Sequence, residues 1–189
     1  MGFWTLFKFL LLSILSPKVG WKKLDKYSIP NNIIQSKLLY PCLSILAMSV
    51  FVPYVCGYGN NDKALNEMIM YALIEFVKYF IGFFVVSNAL SSWFSFTTKT
   101  TDNVNRLNNY ISINLTILAI INIMKNLTPG FPLFDFCPLF VIYVIYTGMK
   151  YVGVDDEYRG KFVVASSLLL LLVPIGIKFV FELMIPNLN

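Results

Sequence analysis

The chain has 189 residues, 57% of them hydrophobic and only 13% charged, with a mean hydropathy of +0.68, values that exclude an ordinary soluble domain and describe a chain built for lipid. It contains no histidine, and Cys42, Cys56 and Cys137 form no CxxC pair, so zinc or haem sites built on imidazole are excluded, no cofactor is expected, and the cysteines read as small packed hydrophobes. The formal charge of +5 is then not a sign of nucleic acid but a means of orienting the chain against an anionic leaflet.

The opening "MGFWTLFKFLLLSILSPKVGW" has the look of a secretory signal peptide, but Lys8 interrupts the apolar part and Pro17 closes it. No small-x-small cleavage site follows, so cleavage is not expected. The run 3–15 has 13 residues, too short for the roughly 20 that a spanning helix needs. A helix lying in the interface or packed on a bundle fits better. Lys18, Lys22, Lys23 and Lys26 then surround Trp21, which reads as an interfacial anchor.

Five longer apolar runs follow, at about 38–56, 68–90, 111–127, 134–152 and 162–184. Each is near the length that about 30 Å of hydrocarbon requires at about 1.5 Å per helical residue. Pro41 falls in the first turn of the first run, where a missing N–H costs little, and Pro53 near its end. The third run is the shortest and most polar, with Ser112, Asn114, Thr116 and Asn122. Pro174 is set to kink the fifth by removing a backbone hydrogen bond. The fold class is therefore all-α, a polytopic membrane protein. Residues 1–37 form an interfacial helix and basic segment, and residues 38–189 a five-helix transmembrane bundle.

Cations sort by loop. Lys18, Lys22, Lys23, Lys26, Lys37, Lys99, Arg106, Lys150, Arg159 and Lys161 fall on one side of this topology, against Lys63 and Lys125 on the other. The positive-inside rule then expects a cytoplasmic N-terminus and an outer C-terminus.

Glu75, Lys78, Lys178 and Glu182 lie inside predicted spans, where a charge near the bilayer centre costs about 2.5 to 3.5 kcal/mol. Two accounts compete. Glu75 and Lys78 at i, i+3 and Lys178 and Glu182 at i, i+4 share helix faces and neutralise each other. With the second span descending and the fifth rising, Glu75 and Lys178 are both expected about 9 to 10 Å below the outer boundary, at matched depth for a pair across helices. Alternatively these groups, with Asn122, line a polar pathway for ions or protons.

The remaining polar groups have plainer readings. Asn88, Ser91, Ser92, Ser166 and Ser167 are expected to hydrogen-bond between helices. The run "DDEYRGK" at 155–161 reads as a solvated turn before the fifth helix, more simply than as a metal site. A serine enzyme would need a base, and no lysine stands in a recognisable motif with a serine.

In their order, the short apolar opening, "SPKVGW", "LLYPCL", "RLNNYISINLTI" and "FVIYVIYTGMKYVGVDDEYRGKFVVASSLLLLLVP" resemble the bacterial branch of the Ypt-interacting protein (Yip) family. The landmarks are Pro17, Trp21, Tyr110, Gly148, Tyr151 and Pro174. The resemblance implies a five-helix integral membrane bundle with a cytoplasmic N-terminus. Eukaryotic members of the family bind prenylated Rab GTPases, but their long N-terminal region and aspartate-leucine-tyrosine-glycine-proline motif are missing here, so that activity is not carried over.

The expected function is that of a non-enzymatic bacterial inner-membrane protein, a membrane-organising or scaffold subunit. Its partners would be the lipid bilayer and a protein partner or a second copy of itself, met through the basic N-terminal segment and the inner loops. The alternative is a small transporter or channel component.

Overall fold

The protein was analysed in a computed structural model that describes residues 2–27, 29–56, 65–94, 101–154 and 156–185. All regular structure among the described residues is helical. Two short helices come first, α1 (Phe3–Leu15) and α2 (Pro17–Tyr27). Five helices long and apolar enough to cross a membrane follow: α3 (Asn31–Val55), α4 (Leu65–Trp93), α5 (Asn103–Leu127, its helix beginning at Thr101), α6 (Leu133–Val152) and α7 (Arg159–Met184). The chain is a multi-pass helical membrane protein. Lys63, Lys99 and Asp155, which enter the sequence reading of the loops, lie outside the described residues.

The span count agrees with the sequence, while two boundaries differ for physical reasons. The first span begins at Asn31 rather than near residue 38, so Pro41 sits inside it and not in its first turn. A proline there leaves the carbonyl four residues earlier without its N–H partner, and the helix widens into a π-helical stretch at Gln35–Leu39 just before it. The helix breaks again at Val50 and Phe51 and resumes as a last turn, Val52–Val55, led by Pro53.

The third span differs more. Read from composition as a short segment starting at residue 111, it is a 27-residue helix, Thr101–Leu127, about 40 Å long at about 1.5 Å per residue. It is also the centre of the bundle. Its span is 72% buried, against 22% to 39% for the other four, and it touches α3, α4, α6 and α7. Every residue from 111 to 119 is buried, including Ser112, Asn114 and Thr116. In hydrocarbon a polar side chain finds partners only within protein, so the most polar helix takes the position without lipid contact. Thr116 donates to the Ser112 carbonyl and Asn114 to that of Tyr110, so the helix meets part of their hydrogen-bonding capacity with its own carbonyls.

α4 and α7 pack extensively on one another, with Gly82 of α4 opposite Pro174 of α7. The α7 helix runs continuously through that proline. At the other flank α1 folds back on α2. Ser13 and Gly20 meet so closely that a Cβ on Gly20 would stand 2.6 Å from the Ser13 hydroxyl oxygen, and only glycine permits the crossing.

The two-helix hairpin is tied to the bundle by Trp21. This residue is 3% exposed, so the expected interfacial anchor is wrong for its side chain: the indole lies in the core. Its Nε1 donates to the Val144 carbonyl at 3.2 Å, and its ring lies 5.6 Å from that of Tyr110 and 5.5 Å from that of Tyr151. A Cβ at Gly148 would come within 2.6 Å of the indole, so α6 offers a notch that the ring fills. Lys18, Lys22 and Lys23 are exposed, as an anchoring role requires. The indole is buried because α2 packs on α6 with its ring turned into the notch at Gly148.

Trp21→Ala is expected to lower stability by about 3 to 5 kcal/mol, the range for emptying a buried aromatic site. Trp4→Ala, at a residue 73% exposed, should stay within about 0.5 kcal/mol of wild type. Thermal unfolding in mild detergent measures both, and equal effects would contradict the buried position of Trp21.

Candidate functional site

The charged groups inside the spans come from two helices whose spacing aims them at one point. Glu75 and Lys78 lie three residues apart on α4, and their side chains bond at 2.6 Å between Nζ and Oε1. Lys178 of α7 reaches the same Glu75 oxygen at 3.8 Å and Glu182, one turn further on its own helix, at 3.7 Å. Burial is graded across the group: side-chain exposure is 8% for Lys78, 13% for Glu75, 28% for Glu182 and 37% for Lys178. Two carboxylates and two ammonium groups therefore form one neutral chain of contacts. Its dry end is on α4 and its accessible end on α7.

Asn122 does not touch the carboxylates. Its Nδ2 donates at 2.7 Å to the hydroxyl of Tyr79, a residue 4% exposed and the sequence neighbour of Lys78. The Lys78 ammonium lies 5.1 Å from the centre of the Tyr79 ring, a cation–π distance. Tyr79 thus relays the polar layer from the α4–α7 ion pairs to α5. The five residues named from the sequence are brought together through a sixth that it did not single out. An apolar-looking tyrosine in an apolar run gave no signal until its hydroxyl found an amide.

At the opposite end of the bundle is a second polar assembly, which sequence reasoning missed. Arg106 at the start of α5 pairs with Asp25 of α2 at 3.1 Å, donates to the Tyr151 carbonyl at 3.2 Å and lies 5.7 Å from the centre of that tyrosine's ring. Asn109, one turn on, donates to the Ile29 carbonyl at 2.6 Å and to the Tyr151 hydroxyl at 3.3 Å. Tyr110 is fully buried and donates to the Ile145 carbonyl, 3.2 Å away, with Ser166 at the same distance from its hydroxyl. The signal was in "DNVNRLNN", 102–109: polar residues three and four apart that a helix would stack on one face. Read as loop, they pointed nowhere.

The serine and asparagine expectations hold in part. Ser166 bonds across to α5 as expected, whereas Ser91 turns back to the Asn88 carbonyl at 3.0 Å and Asn88 and Ser92 are exposed. At this end of the bundle α4 and α5 are bridged by Ser87, whose hydroxyl donates to Asn108 at 2.6 Å. Of the acidic run before α7, Glu157 is exposed, and no group of three metal-ligating side chains occurs among the described residues.

Trp21, Tyr110, Gly148 and Tyr151, four landmarks of the family resemblance, converge on a single contact between α2, α5 and α6. Comparison with family models, with curated proteins and with solved structures finds no match.

A double-mutant cycle of Tyr79→Phe and Asn122→Ala should return a coupling of about 0.6 kcal/mol, the usual value for a hydrogen bond between membrane helices, and no more than about 1.7. Additive effects in detergent unfolding would mean that the two side chains do not bond.

Proposed function

We propose that this chain is a non-enzymatic membrane-organising or scaffold protein of the Yip type. It acts through protein or lipid contacts at its basic face, and its N-terminus lies in the cytoplasm of a bacterial cell. The observation that carries the reading is the self-contained charge network: each ammonium and each carboxylate has an opposite charge within 4 Å, and the sum is zero. A relay needs a group that changes partner or protonation as cargo passes. A balanced pair fixed between packed helices instead sets their register, because the unpaired alternative in lipid is costly. The meeting of Trp21, Tyr110, Gly148 and Tyr151 in one contact supports the family assignment, since residues that carry a resemblance should serve a common structural end. The ten cations sorted to one side of the topology support the orientation.

One observation favours a second reading, that of a small transporter or channel component. Lys178 and Glu182 remain 37% and 28% exposed, so the network has an accessible end.

The two readings separate on charge removal. Glu75→Gln and Lys78→Met, made singly, should each leave the network one charge out of balance, cost up to about 3 to 5 kcal/mol and reduce accumulation in membranes. The double variant leaves Lys178 paired with Glu182 and should accumulate like wild type. Normal accumulation of all three with loss of an ion flux in proteoliposomes would instead establish transport.

A further inference from the structure

Two adjoining concavities open at the basic end of the bundle, sharing Asp25 and Tyr151 as a common wall. The larger, about 350 Å3, lies between α2 and the last turns of α6 and is lined by Lys18, Lys22, Lys150, Thr147 and Trp21. Its lysines are exposed, and none is ion-paired with a carboxylate among the described residues. The acid that shares the groove, Asp25, is bridged to Arg106. The result is a concentration of positive charge held on helices that Trp21 fixes in place.

The smaller concavity, about 210 Å3, is lined by Asn105, Arg106 and Asn109 of α5. Asn109 is 1% exposed. Its amide nitrogen is committed to Ile29 and Tyr151, while its Oδ1 meets no donor among the described residues. The Ile29 carbonyl can only accept, so the amide cannot be turned round, and the orphan atom is an acceptor. A buried acceptor beside a cavity calls for a ligand that brings a donor.

We infer that the joined concavities bind a phosphate ester bearing free hydroxyls, with the phosphate on Lys18, Lys22 and Lys150 and a hydroxyl donating to Asn109 Oδ1. Two sources share this chemistry, the headgroup of a polyol phospholipid and a free sugar or glycerol phosphate. The surface of α6 away from the groove favours the lipid. Leu139, Tyr143 and Tyr146 are 62%, 45% and 54% exposed and form one stripe at helical spacing that leads directly to Lys150, a track for acyl chains. The inference rests on the reading of the basic face as the contact surface and gives that contact a chemical identity. It is independent of the charge network, so a flux that overturned the scaffold reading would leave it standing.

The test is native mass spectrometry of the full chain released from phosphatidylcholine nanodiscs doped with phosphatidylglycerol. Wild type should retain phosphatidylglycerol, and Lys18→Gln/Lys22→Gln/Lys150→Gln should bind it at least tenfold more weakly. Lys23→Gln/Lys26→Gln removes two charges from the same helix outside the groove and should stay within twofold of wild type. Equal losses in both variants, or none in the first, would overturn the site in favour of a diffuse basic surface. Phosphatidylmethanol keeps the phosphodiester without hydroxyls and should bind wild type at least fivefold more weakly than phosphatidylglycerol; equal binding would refute the role of Asn109. Millimolar glycerol phosphate that displaces the lipid supports a free ester as ligand. Lipid retained against it supports the bilayer as the source.

Discussion

Hydrocarbon supplies no hydrogen bonds, and that constraint arranges this protein. Five spans cannot all face lipid equally, and the chain puts the one with the most polar side chains in the middle. α5 carries Ser112, Asn114 and Thr116 with no exposure at all, and it satisfies part of their hydrogen-bonding capacity with its own carbonyls. The other helices are then placed by what they can offer to α5. α3 brings Ser49 to Asn126, α4 brings Ser87 to Asn108 and Tyr79 to Asn122, and α7 brings Ser166 to Tyr110. Each contact is worth little alone, but together they leave few ways of rotating a helix without stranding a polar group.

The charges obey the same constraint with larger stakes. One oxygen of Glu75 accepts from Lys78 and stands 3.8 Å from the Lys178 ammonium, which couples a local i, i+3 pair to an interhelical one. That coupling explains why a span keeps two opposite charges so close together: the first neutralises the helix during insertion, and the second uses the same carboxylate to select a neighbour. The graded exposure toward Glu182 and Lys178 lets the outermost amine extend toward the water boundary, as long cationic side chains do. The basic end follows another logic. There the indole of Trp21 fixes a helix hairpin to the bundle, and the hairpin presents its lysines outward.

Much of this was legible before any coordinates. Run lengths near 20 residues and the sorting of Lys and Arg between loops specified the number of spans, because both follow from bilayer thickness and charge translocation rather than from packing. The pairing of Glu75 with Lys178 was legible too, since matched depth and opposite charge leave few other partners. Hydropathy misjudged α5, because it scores distance from water and α5 is chosen by distance from lipid. The same scale hides polar residues 102–109 that belong to a helix. Trp21 misled for a related reason: an indole among lysines has the composition of an interfacial anchor, and only the notch at Gly148 reveals that the ring points inward. No periodicity in α6 announces a notch, as a glycine contributes no side chain to the pattern.

The interior around α5 is dry and holds the bundle together, so that helix should be closed to water from both sides of the membrane. Single cysteines placed at Ser112, Thr116 and Ala119, in a chain lacking Cys42, Cys56 and Cys137, can be probed in sealed vesicles with a membrane-impermeant maleimide from either side. All three positions should stay unlabelled until the protein is denatured in detergent, as side chains with no exposure require. Labelling of that row in intact vesicles would instead reveal an aqueous path through the bundle, and the dry interior would be refuted.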